Sequence, residues 1–292
     1  MREDTPSVTA MFVAYARAVG THEPELSRAC QDPIAERIVP KPWSNVLRAA
    51  RLAPRAPQRF RDLRRLTLGL IDHLALRTGV IDRALRSALA SGVRQVVLLG
   101  AGLDARAHRI QDLRDATVFE VDHPSTQTLK IRKAAGLPVL AKDLRYAPCD
   151  FEKVSLEQAL LAQGFEPGQP SIWIWEGVTM YLDESAVEGS LERIARLSAP
   201  GSTVIATYVT PKIIASGSVL GHFGLAALAV ISEPVRSSST PPEMARRFAH
   251  HGFEVSFDQL PADVAADFAV THPLRWWGMP DEHVLVARKP SR

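Results

Sequence analysis

Three features of the sequence could do chemistry together. The first is a glycine turn, Gly100-Ala101-Gly102-Leu103-Asp104-Ala105, directly after the apolar run Val96-Val97-Leu98-Leu99. Glycines at such a place permit a tight turn and let a ligand approach the backbone closely. The second is Asp122, which ends the next apolar run, twenty residues beyond Gly102. That is the spacing of a carboxylate that accepts both hydroxyls of an adenosine ribose. The third is a pair of further acids, Asp143 and Glu176, each read as following a strand. Carboxylates there would collect at the carboxyl edge of an open α/β sheet, where such folds bind ligands. Together the three predict a site for an adenosine-containing cofactor.

The turn alone does not choose the cofactor. Gly100-x-Gly102-x-x-Ala105 fits the nicotinamide-dinucleotide form as well as the looser G-x-G of an S-adenosylmethionine site. A pyrophosphate wants backbone N–H groups and would be repelled by an acid in the loop, whereas an ammonium or sulfonium would be favoured by Asp104. Tyr208-x-x-x-Lys212 formally matches the pair of short-chain dehydrogenases. That pair must stack on a helix, while Tyr208 ends a predicted strand and Pro211 intervenes. An NADP-dependent reductase therefore stays only as an alternative.

The elements that must position these residues follow from periodicity. Residues 1–92 read as helices, with Leu63, Leu66, Leu70, Ile71, Leu74 and Leu76 at helical spacing and a second stretch over 80–90. From residue 93 short apolar runs alternate with helical segments: 96–99, 117–121, 138–141, 171–175 and 202–209, then 253–257 and 283–287. Alternating strands and helices imply right-handed crossovers and a doubly wound α/β fold with a seven-stranded, Rossmann-like sheet. Asp183 is placed to cap a helix over 183–197, and Thr240-Pro241-Pro242-Glu243 forms a capping box. The division expected is a helical cap over 1–92 and a catalytic core over 93–292, with 210–240 as a lid.

Composition bounds the rest. With 46% hydrophobic and 23% charged residues over 292 positions, the chain can bury a large core, which excludes a disordered or disulfide-stapled protein. Its two cysteines, Cys30 and Cys149, are too far apart for a redox pair, and no His/Asp cluster has metal-ligand spacing. A cytoplasmic protein is expected, since no signal segment or membrane-length apolar run is present. The net +3 is concentrated: seven arginines lie within 48–65 beside the single acid Asp62. With no interleaved aromatic except Phe60 and no nucleic-acid motif, that stripe reads as a solvated helix face.

Five segments in order, ALRTGVID (75–82), VRQVVLLGAGLDARAHRI (93–110), VFEVDHP (118–124), KDLR (142–145) and WEGVTMYL (175–182), give the sequence its resemblance to the leucine carboxyl methyltransferase family, in particular its bacterial branch of S-adenosylmethionine-dependent O-methyltransferases. The resemblance implies a last strand antiparallel to the rest and S-adenosyl-L-methionine as cofactor. It implies that Arg77 holds the methionine carboxylate, Gly100 and Gly102 admit the methionine portion, and Asp122 takes the ribose. It further implies that Asp143 and the backbone of Leu144 read the adenine, that Glu176 faces the ammonium, and that Tyr181 sits beside the methyl group. Gly79-Val80 and Val178-Thr179 depart from the commoner family residues. The acceptor expected is a carboxylic acid, of a small metabolite or a peptide C-terminus. A carboxylate is already ionised and needs no general base, and no histidine falls in a motif for that task; His108 and His123 come closest to the cofactor loops. A phenolic hydroxyl acceptor and a non-catalytic adenosyl-ligand sensor are the other readings.

Overall fold

In the computed structural model, which describes residues 7–67, 69–149, 155–211, 235–271, 273 and 281–291, the centre is strand β1 (Gln95–Leu99), buried along its whole length. Its side chains alternate: Val97 and Leu99 join one apolar cluster, and Val96 and Leu98 another on the opposite face. A strand covered on both faces must be apolar throughout, which is why its sequence shows a continuous run. β2 (Thr117–Asp122), β3 (Asp143–Pro148), β4 (Ser171–Trp175), β5 (Thr203–Val209), β6 (Glu254–Gln259) and β7 (Glu282–Arg288) complete one sheet in the order β3-β2-β1-β4-β5-β7-β6. β7 is antiparallel to both of its neighbours, and the pairings among β1 to β5 are all parallel. This is the seven-stranded Rossmann-like sheet expected.

One strand lies elsewhere than predicted. Residues 138–141 are not in the sheet: the N–H groups of Leu140 and Ala141 donate to Ala107 O, at 2.8 and 3.1 Å. The third strand is 143–148, whose side chains are mostly half-buried. It is an edge strand, so it carries mixed residues, and the short apolar run before it was the misleading signal.

The helices before the sheet are α1 (Val8–His22), α2 (Ala35–Ile38), α3 (Trp43–Leu52), α4 (Ala56–Leu66) and α5 (Leu70–Ala90). α5 joins into one helix two stretches that periodicity separated. Gly79 lies in its middle, where a Cβ would come 2.8 Å from the carbonyl oxygen of Ala29, so the absent side chain lets the helix approach that backbone. After β1 come α6 (Arg106–Arg109), α7 (Pro124–Ala134), α8 (Leu156–Ala162), α9 (Glu184–Leu197) and α10 (Pro241–His250). The Asp183 side chain accepts from Ala186 N, and the Thr240–Glu243 capping box is formed. The five helices before the sheet share one apolar cluster with Leu103 and Ala105 of the glycine turn, so the N-terminal segment is packed directly on the loop region.

Most of the expected lid, residues 212–234 with Lys212, lies outside the described residues. Among the described residues no helix is long and apolar enough to cross a membrane. Of the seven arginines in 48–65, six are exposed and Arg64 is buried. Arg64 reaches Glu23 at 3.2 Å, Glu25 at 2.8 Å and Asp72 at 2.6 Å. The solvated-face reading therefore holds for the stripe but not for that residue. Cys30 and Cys149 are both buried thiols, and burial, the largest effect on Cys30, helps push its pKa up to about 12.

Candidate cofactor site

Parallel strands deliver their C-terminal ends to one edge. Leu99, Asp122 and Trp175 end β1, β2 and β4, and the chain leaves each into a loop at that edge. Gly100 (φ 66°) and Gly102 (φ 51°) both adopt the left-handed conformation that favours glycine. The N–H groups of Gly100 and Ala101 donate to Val121 O, which ties the turn to the end of β2. Asp122 then fixes the turn from the other side: its Oδ2 accepts from Gly102 N at 2.5 Å and its Oδ1 from His123 N at 2.6 Å. Burial raises the Asp122 pKa, and the two backbone N–H groups oppose that rise. Each carboxylate oxygen has one of these backbone bonds and keeps a further lone pair for a hydroxyl.

Beside the turn runs a buried chain of alternating charges. Glu176, the first residue after β4, is held between two guanidinium groups: Arg77 Nη2 lies 3.0 Å from its Oε1 and Arg106 Nη1 2.8 Å from its Oε2. Burial pushes the Glu176 pKa up, but Arg106 and Arg77 outweigh it and hold the group below the usual carboxylate range. Arg106 also pairs with Asp82 at 2.8 Å and with Asp104, and Arg109 pairs with Asp82 at 2.6 Å and Asp32 at 3.4 Å. Arg17 of α1 closes the chain, 3.0 Å from Asp32, and its Nη2 donates to Leu103 O at 2.5 Å. Buried charges persist only when paired in this way, since an isolated one costs several kcal/mol or more.

These contacts sort the expected residues. Arg77, Gly100, Gly102, Asp104, Asp122 and Glu176 come together at the carboxyl edge, though Asp104 is turned inward. Its Oδ1 accepts from Arg106 N at 2.7 Å and its other oxygen pairs with the Arg106 guanidinium, so its charge is compensated within the protein rather than offered to a cationic ligand. Asp143 and Leu144 do not join the site. Asp143 begins β3, in register with Thr117 at the start of β2, and so lies at the opposite, amino edge of the sheet. It pairs with Arg145 at 2.7 Å, and Leu144 packs with the apolar cluster of the other face. The misplaced strand explains the error: with β3 at 143–148, the residues it carries to the cofactor edge begin at Cys149, whose N–H donates to Asp122 O. Asp150, next in the chain, lies outside the described residues.

Tyr181 stands in a short 3-10 turn, Thr179–Tyr181, packed against Met180 and Val209 at the end of β5. That turn is anchored by Thr179, whose hydroxyl donates to Thr207 O at 2.6 Å. Sequence reading missed Arg106, Arg17 and Glu282, and the only signal for them is an ionisable residue in or beside an apolar run. The histidines near the loops are engaged elsewhere: His108 Nδ1 is 2.9 Å from Pro138 O, and His123 Nδ1 is 2.8 Å from Ser125 Oγ. Tyr208 is buried with its hydroxyl donating to Asp258 at 2.7 Å, and Lys212 lies outside the described residues. No group of three metal-ligating side chains occurs among the described residues.

The donor set fits an adenosyl amino acid. A paired guanidinium and carboxylate suit a zwitterion, Asp122 suits a diol, and Arg106 Nη2 is buried with no hydrogen-bond partner. The turn itself is closely covered. A Cβ on Gly100 would fall 2.5 Å from Val178 Cγ2, and one on Gly102 3.0 Å from the Ala10 side chain of α1.

Comparison with known proteins agrees with this chemistry. The family described as leucine carboxyl methyltransferase matches residues 10–195. A Streptomyces coelicolor protein, provisionally named an S-adenosyl-L-methionine-dependent methyltransferase, is 37% identical over 206 residues. That match covers 68% of this chain and 64% of the relative, just under two thirds of its length. A Streptomyces avermitilis protein of the same provisional name is 33% identical, covering 88% of this chain and 86% of its own. Among solved structures, a DUF574 family protein from Streptomyces avermitilis superposes with a TM-score of 0.59 at 18% identity, covering 88% of this chain and 97% of its own. A provisionally titled methyltransferase from Thermobifida fusca gives 0.56, also at 18% identity, covering 88% and 94%; both establish the fold. The chain therefore belongs to the leucine carboxyl methyltransferase family of S-adenosyl-L-methionine-dependent methyltransferases, with S-adenosyl-L-methionine as its cofactor.

Proposed function

We propose that the chain is an O-methyltransferase that forms a methyl ester on a carboxylic acid, either a small metabolite or a peptide C-terminus. The observation that carries this reading is the state of the two histidines nearest the cofactor loops. His108 spends Nδ1–H on Pro138 O and has its other ring nitrogen buried away from solvent. His123 uses its Nδ1 lone pair to cap α7 through Ser125 N, so neither offers an accessible base nitrogen to an alcohol or phenol. A carboxylate arrives ionised and needs only orientation. The description of the family points the same way.

When bound, S-adenosyl-L-methionine supplies an electrophilic methyl group on its sulfonium. In this reading Arg77 holds the cofactor's carboxylate, Glu176 its ammonium and Asp122 its ribose hydroxyls, with Gly100 and Gly102 admitting the methionine portion. Tyr181 flanks the reacting methyl and the acceptor. Residues 1–92 serve as a cap on a core of 93–292, and α1, through Arg17 and Ala10, keeps water from the turn. The test uses methyl-tritiated cofactor and a panel of carboxylic acids, peptides and phenols. Label released as methanol by mild alkali is the expected outcome. Alkali-stable product would establish the phenol reading instead, and turnover of any kind would exclude a non-catalytic sensor.

A further inference from the structure

Arg77 has a second carboxylate partner. Its Nη1 donates to both oxygens of Glu282, at 2.9 and 3.0 Å, while Nε and Nη2 face Glu176. Glu282 opens β7, the antiparallel strand, whereas Arg77 lies on α5, so the bond ties the helix to the far half of the sheet. His73, one turn before Arg77 on the same helix face, reaches the same carboxylate at 2.6 Å. The Thr207 side chain bonds Glu282 as well, and its hydroxyl accepts from Gly177 N at 2.8 Å, beside Glu176. Glu282 is 3% exposed. Burial alone would raise its pKa; Arg77, His73 and Thr207 outweigh that and hold it at about 2, so it stays charged.

An arginine with two carboxylates can release one and keep the other. Resting on the reading that Arg77 and Glu176 receive the amino-acid end of the cofactor, we infer that Glu282 is the positioning residue of this site. It holds Arg77 at the edge when Glu176 turns from Arg77 to the cofactor's ammonium. Without it the guanidinium would follow Glu176, and Arg77 would have no fixed direction toward a carboxylate. Glu282 grips Nη1 alone, with both oxygens, so that end of the guanidinium stays anchored by charge-assisted bonds while Nε and Nη2 are left for the cofactor's carboxylate.

The test compares S-adenosylhomocysteine with 5′-methylthioadenosine, which carries the same adenosine and sulfur but lacks the amino-acid end. Binding of both is measured calorimetrically on the full chain. Glu282→Gln is expected to weaken S-adenosylhomocysteine about tenfold or more, the loss of one charge-assisted hydrogen bond. Methylthioadenosine should stay within twofold. A purely structural role would weaken both equally, and that result, or no change in either, overturns the inference. Should Glu282→Gln fail to fold, Glu282→Asp withdraws the charge by one methylene and carries the same expectation. Arg77→Gln separates the two levels. If it leaves the preference for S-adenosylhomocysteine intact, the reading of the site fails; if it removes the preference and the Glu282 variants do not, this inference alone fails.

Discussion

Asp122 and Asp143 offer the sharpest test of the site, because the sequence reading put both at the carboxyl edge of the sheet and only Asp122 lies there. Both oxygens of Asp122 already accept a backbone N–H, from Gly102 and from His123. In Asp122→Asn one oxygen becomes an NH2 group, which must face one of those two donors. The ribose then loses a charge-assisted acceptor, and the turn gains a donor–donor contact. One charge-assisted hydrogen bond contributes about 1.5–3 kcal/mol, so S-adenosylhomocysteine should bind about tenfold to a hundredfold more weakly. Asp143→Asn removes only a half-exposed pair with Arg145 at the other edge, and affinity should stay within about twofold, as for surface pairs generally. Isothermal titration of both variants, with thermal melts to confirm folding, reads the difference directly. Equal losses in the two variants, or a loss confined to Asp143→Asn, would refute the placement of the cofactor edge.

Three further predictions concern the scaffold. Gly79→Ala should destabilise the protein by about 1–2 kcal/mol in urea melts despite alanine's better helix propensity, because the new Cβ meets the Ala29 carbonyl. Arg64→Met should cost about 3–5 kcal/mol by leaving Glu23 and Asp72 without their buried cation, whereas Arg65→Met on the exposed face should change stability by no more than about 0.5 kcal/mol. Glu120 and Lys130, each 1% exposed and 2.5 Å apart, form a buried pair in which burial outweighs Lys130 and lifts Glu120 to about 7. A carboxyl whose folded pKa exceeds its unfolded one binds its proton more tightly when folded. Its contribution is thus full below about pH 4.5 and is lost as pH rises through 7, on the order of 3 kcal/mol in all. Urea melts across that range should show a fall that the double variant Glu120→Gln, Lys130→Met lacks, and parallel curves for the two proteins would dismiss it.

The sequence by itself determined most of the sheet and the pairing of the glycine turn with Asp122. Buried parallel strands must be apolar throughout, so β1, β2, β4 and β5 stand out as runs. The glycine turn and Asp122 lie on consecutive strands of one crossover, so their spacing along the chain fixes their spacing in space. That same locality failed at β3. An edge strand is half solvated and needs no apolar run, so residues 138–141 drew the start of the strand five residues early and carried Asp143 and Leu144 to the wrong edge. Arg77 and Glu176 were legible one by one in the sequence, but tertiary structure alone decided which charges they pair with. Arg77, Arg106, Glu176 and Glu282 come from helices α5 and α6, the loop after β4 and strand β7, spread over 206 positions of chain, and nothing in their neighbouring residues records the meeting. What selects those charges is the low dielectric they share, where each survives only beside the others.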